Sequence, residues 1–99
     1  MKKDEKPYHI LVIEDNLGDF VILEEYLSES ILHLEATHAE NFKEAVELLE
    51  KNERQYDLVF LDLSLPDKSG EELVKEITGR AEEIPVVVLT GFADLEFGS

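Results

Sequence analysis

Three apolar runs in this chain end abruptly on side chains able to do chemistry. YHILVI at 8–13 stops at Glu14 and Asp15, DLVFL at 57–61 stops at Asp62, and PVVVL at 85–89 stops at Thr90. A carboxylate directly behind an apolar run is costly if it is buried alone, because desolvation raises its pKa until it becomes neutral. Asp62 must therefore emerge at a surface or lie among other charges. If the ends of these runs converge, three carboxylates repel one another unless a divalent cation neutralises them. An oxygen-only ligand set without His or Cys suits a hard cation, most simply Mg²⁺, held through one or two carboxylates with waters completing the shell. An aspartate kept ionised in this way is a nucleophile toward phosphorus that forms an aspartyl phosphate, and the cation neutralises the transferring group.

Convergence depends on the elements that carry these residues. Tyr8–Ile13 reads as a short strand buried on both faces, ending at an acidic turn. Phe20, Leu23 and Leu27 recur at helical spacing, with Asn16 as the cap and Asp19 in the first turn. Leu32–Thr37, LHLEAT, alternates apolar and polar residues as an edge strand does. Asn41 and Glu44 form a capping-box pair, and Phe42, Ala45, Val46 and Leu49 make the apolar stripe of a second helix. Asp57–Asp62 is a third strand, and the loop containing Pro66 runs on to Gly70. Ser69 and Glu72 are a further capping-box pair, Leu73, Val74 and Ile77 give the third helix its apolar face, and Gly79 is its expected stop. Pro85 opens a last buried strand, PVVVLT. Strands alternating with helices through short loops predict an α/β fold with a parallel sheet and helices on both faces, whose ligands bind beyond the carboxyl ends of the strands. That is the edge at which Glu14, Asp15, Asp62 and Thr90 emerge.

Composition narrows the classes. The chain has 99 residues, 43% of them hydrophobic, which is one domain at most. With no cysteine, disulfides, thiolate zinc sites and cysteine nucleophiles are excluded. His9, His33 and His38 show no ligand spacing and read as structural or surface residues. Nine basic residues against 24 acidic ones give a net charge of −15, a surface that repels nucleic acid and anionic lipid. The apolar run near the N-terminus ends in acids with no cleavage signal, and no run is long enough to span a bilayer, so a soluble, cytoplasmic chain is expected. No glycine-rich phosphate loop is present, which argues against nucleotide binding.

ILVIEDN at 10–16, DLVFLDLSLPDKSG at 57–70 and PVVVLTG at 85–91 together resemble the receiver domain of two-component response regulators. The resemblance implies a flavodoxin-like, doubly wound sheet in the order 2-1-3-4, with one domain over residues 1–99 that lacks the family's fifth strand and last helices. It implies that Asp62 accepts a phosphoryl group from a phosphohistidine on a histidine kinase or phosphotransfer protein. It also implies that Mg²⁺ is held by Glu14, Asp15, Asp62 and the backbone carbonyl of Ser64. Thr90 would donate its hydroxyl to the phosphoryl group, and Gly91 would keep access to Asp62 open. Such a domain promotes its own phosphorylation and dephosphorylation and is not a conventional turnover enzyme.

The sequence departs from the family pattern after Thr90. Within these 99 residues the family's later lysine, which pairs with the phosphoryl group, has no counterpart, since no Lys or Arg follows Arg80; either the chain is truncated or a C-terminal part lies beyond Ser99. Phe92 and Phe97 lie too early to be the family's switching aromatic. An uncovered strand at 85–90 without protective charges would recruit a second copy of the chain. The alternative to a phosphoacceptor is therefore a non-phosphorylated interaction or dimerisation module of the same fold. An aspartate-based phosphatase wants a second acid two residues after its nucleophile, and here Leu63 and Ser64 follow Asp62.

Overall fold

The structure, a computed structural model, describes residues 4–51 and 56–89. Thr90 and Gly91 lie outside the described residues. In chain order the elements are β1 (Asp4–Ile13), α1 (Leu17–Ser30), β2 (Ile31–Ala39), α2 (Phe42–Glu50), β3 (Leu58–Asp62), α3 (Gly70–Ala81) and β4 (Val86–Leu89). All strand pairs are parallel and the order is β2-β1-β3-β4, the α/β architecture and strand order expected from the sequence.

Register sorts the side chains onto two faces. Leu11 pairs with Val59 and Ile13 with Leu61, so these four point the same way. They form the core with Ala39, Ala45, Tyr56, Leu65, Leu73 and Ile77, under α2 and α3. Ile10 and Val12, equally buried, point to the opposite face. Val12 pairs with His38, whose ring stacks on Phe20, and this places α1 on that second face. The half-buried Phe20, Leu23 and Leu27 are the inward side of α1, while Leu17 and Tyr26 remain exposed.

The helix starts obey local chemistry only in part. Asn16 and Asn41 cap α1 and α2 as expected, accepting the N–H of Asp19 at 3.1 Å and of Glu44 at 2.8 Å. The Glu44 carboxylate reaches back one residue further than a capping box requires, to the N–H of Glu40. The pair expected at α3 does not form: Ser69 makes no side-chain cap bond, and Glu72 pairs with Lys68 instead. The reason is the entry to α3. Gly70 has a φ of 70° and donates its N–H to the Leu63 carbonyl, a left-handed position that glycine takes at little cost.

Gly79 is not the stop either, because α3 runs on to Ala81, a buried residue one turn after Ile77. The positive φ falls on Glu82, at 57°. The strands differ from expectation as well, and β1 starts at Asp4 rather than Tyr8. β2 extends to Ile31–Ala39, beyond the expected 32–37, because pairing with β1 continues to both sides. β4 is not buried on both faces: Val87 and Val88 are 41% and 39% exposed, since β4 is the last strand of the described sheet. A run of valines carries no alternation from which that could be read.

Candidate functional site

Glu14 continues β1 by one residue, donating its N–H to the Ala39 carbonyl at 2.9 Å. Its own carbonyl accepts from His38 Nε2, which makes Nε2 the protonated nitrogen, because a carbonyl can only accept. The His38 ring is held flat against Phe20, with centroids 4.3 Å apart and planes within 7°. Glu14 is thereby fixed between β2 and α1. Its carboxylate accepts the Asn16 N–H at 3.1 Å, and the residue is 8% exposed, the one buried acid among the described residues.

Asp62 ends β3 on the neighbouring strand. It is half-buried, and its Oδ1 accepts the Ser64 N–H at 3.2 Å. Asp15, next to Glu14, is exposed. The structure brings these three together: Glu14, Asp15 and Asp62 each offer a carboxylate oxygen, all within 4.8 Å of one another. No other group of three acidic or histidine side chains among the described residues does so. Ser64 is tied to the cluster through its N–H, while Thr90 lies outside the described residues.

The electrostatics follow from burial and crowding. Burial pushes the Glu14 carboxyl up from 4.5 to about 7, helped by the Asp62 charge and opposed by the Asn16 N–H. Asp62 is also raised, first by burial and then by the charges of Asp15 and Asp19, while the Ser64 N–H and the Glu14 carboxyl oppose the rise. Two full charges about 5 Å apart at an effective dielectric of about 20 repel by about 3 kcal/mol. Left to itself, then, the cluster gives up its protons less readily than free carboxylates do, and a divalent cation would favour their release. Three carboxylates without nitrogen or sulfur donors fit a hard cation such as Mg²⁺.

Sequence reasoning missed two participants. His38 supports Glu14 from the neighbouring strand, 24 residues along the chain, and its spacing from His9 and His33 gave no sign of it; only the β1–β2 register places it there. Asp19 was legible as a helix-start charge but also adds to the negative field at Asp62.

A family model described as the response regulator receiver domain matches residues 10–98. Response regulator Rcp1 of Synechocystis is 34% identical over 91 residues, covering 85% of this chain and 62% of that protein. Two-component response regulator ARR12 of Arabidopsis thaliana is 31% identical over 88 residues, which span 89% of this chain but 14% of that protein. This chain thus matches only a small part of the plant regulator. Among solved structures, the phosphorylated cyanobacterial phytochrome response regulator RcpA superposes with a TM-score of 0.76 at 31% identity, covering 94% of this chain and 72% of that one. The receiver domain of the sensor histidine kinase PA1611 of Pseudomonas aeruginosa, solved with a magnesium ion in its active-site cleft, gives 0.72 at 27% identity, covering 89% and 70%. Parallel strand order, acids at the ends of β1 and β3, and a match over most of the length agree: the chain belongs to the receiver-domain family of two-component response regulators.

Proposed function

We propose that Asp62 accepts a phosphoryl group from a phosphohistidine on a histidine kinase or phosphotransfer protein, and that the modified domain changes its partner binding. The observation that carries this reading is the meeting of Glu14, Asp15 and Asp62 within 4.8 Å at the carboxyl ends of adjacent strands. Glu14, Asp15, Asp62 and the Ser64 carbonyl would hold Mg²⁺, which when bound keeps the acids ionised and offsets the charge on the transferring group.

The chain's own residues do the rest. The Ser64 N–H fixes one oxygen of Asp62 and leaves the other to attack phosphorus. As that O–P bond forms the P–N bond breaks, and the departing imidazole keeps the electron pair. His38 and Asn16 hold Glu14 in place, so that the cluster need not reorganise during transfer. Thr90, directly after β4, is the candidate to donate its hydroxyl to the new phosphoryl group. The excess of acids disfavours a nucleic-acid target for this domain and favours a protein partner.

Labelling with a small phosphodonor in Mg²⁺ tests the reading. Asp62→Asn is expected to abolish uptake while retaining the native circular dichroism, with an unfolding midpoint at or above native because a repelling charge is removed. Undiminished labelling of that variant would remove Asp62 from the chemistry.

A second reading is a non-phosphorylated docking or dimerisation module, in which a second copy would cover Val87 and Val88, 41% and 39% exposed among the described residues. A strict monomer in sedimentation at high concentration would exclude it.

A further inference from the structure

Asp67 lies in the loop between β3 and α3, yet its carboxylate serves another element. Its Oδ1 accepts the Phe42 N–H at 2.8 Å and its Oδ2 the Lys43 N–H at 3.1 Å, the first two amides of α2. These amides have no partner inside their own helix. The third, at Glu44, is taken by the local cap Asn41. Helix α2 thus carries a cap from its own sequence, and a second one arrives from a loop 24 residues further along the chain. The neighbouring Lys68 makes another contact, its ammonium 5.1 Å from the centre of the Phe42 ring.

The loop is braced along its length. Ser64 and Ser69 form a bridge, the Leu65 N–H bonds the Lys68 carbonyl at 3.2 Å, and the Leu65 side chain is buried in the core. At one end the Ser64 N–H holds Asp62, and near the other Asp67 holds α2. The main chain of Ser64 is therefore positioned from both sides.

We propose that Asp67 is a positioning residue for the cation pocket, using the first turn of α2 as the anchor that keeps the 63–69 loop, and with it the Ser64 carbonyl, in the shape that completes the ligand set. The proposal rests on the Mg²⁺ reading above. Its logic is reciprocal: if the tie strengthens Mg²⁺ binding, Mg²⁺ must strengthen the tie by the same factor.

Mg²⁺ titrations of the native chain, Asp67→Ala, Asp67→Asn and Asn41→Ala, followed by calorimetry and by exchange of backbone amides, test it. Asp67→Ala should weaken Mg²⁺ binding about fivefold or more, and Asp67→Asn, which keeps one acceptor, should lose less. Asn41→Ala should lower the melting temperature while leaving Mg²⁺ affinity within about twofold of native, because it removes a cap of α2 without touching the loop. Mg²⁺ should slow exchange at Phe42 and Lys43 in the native chain and not in Asp67→Ala. If Asp67→Ala does not fold, Asp67→Asn carries the comparison. Unchanged affinity in the Asp67 variants overturns the tie alone. An equal loss in Asn41→Ala overturns it too, by assigning the effect to the general stability of α2. A native chain that binds no Mg²⁺ removes the cation reading and this proposal with it.

Discussion

Glu14 is where burial and charge meet in a single residue. In the unfolded chain its proton leaves near 4.5, and in the folded chain near 7, so between these values the native state holds more protons. Stability then falls as pH rises through that window: Glu14's contribution is fully present below about 4.5 and lost above about 7. Asp62, also raised, acts with the same sign. With divalent cations chelated, urea unfolding should show a loss on the order of 1–3 kcal/mol across this range, and Glu14→Gln should flatten most of it. Mg²⁺ favours the ionised acids, so its stabilising effect should grow over the same interval. Asp67 behaves oppositely. The Phe42 N–H holds its carboxyl below the usual carboxylate range, so its contribution is present above 3.8 and is lost as pH falls through the depressed value.

At the scale of elements, two connections decide how well the strand ends are held. His38 joins β2 to both Glu14 and α1. Truncating it, His38→Ala, should cost about 1–3 kcal/mol, through the loss of a part-buried hydrogen bond to the Glu14 carbonyl and of the stacking contact with Phe20, and should weaken Mg²⁺ binding as well. Urea midpoints and Mg²⁺ titrations of the same variant would separate the two effects. The end of α3 stores strain. Glu82 has a φ of 57° and a ψ of −107°, a region that side chains avoid and glycine tolerates. Glu82→Gly should therefore raise stability by about 1 kcal/mol, and an unchanged or lower melting temperature would show that the turn is held by something other than backbone preference. Leu73, fully buried between α3 and the sheet, is the opposite case, with Leu73→Ala expected to cost about 2–5 kcal/mol in urea unfolding.

For the molecule as a whole, the net charge of −15 sits on described residues with a radius of gyration of 13.6 Å. That is comparable with the Debye length of about 10 Å at about 0.1 M salt, so most charges feel their neighbours and the folded state repels itself. Raising monovalent salt from about 0.05 M to about 0.5 M should increase the melting temperature, with Mg²⁺ excluded by chelation. A melting temperature that falls with salt would mean that favourable ion pairs, such as those of Arg80 with Glu50 and Glu76, outweigh the repulsion.

The order of elements, their helical or extended character and the placing of Glu14, Asp15 and Asp62 at strand ends were all legible in the sequence. Each rests on local periodicity or on a change from apolar to polar residues, which neighbouring positions determine. The caps at Asn16 and Asn41 were legible for the same reason. Only the tertiary structure decided that Glu14 turns into the fold while Asp15 faces solvent, that α3 passes Gly79, and that Ser69 leaves its helix uncapped. It alone supplied His38 and Asp67, whose partners lie 24 or 25 residues away. Such bonds depend on which strands lie side by side and in what register, a condition set by burying the whole sheet at once, and no single stretch of chain encodes it.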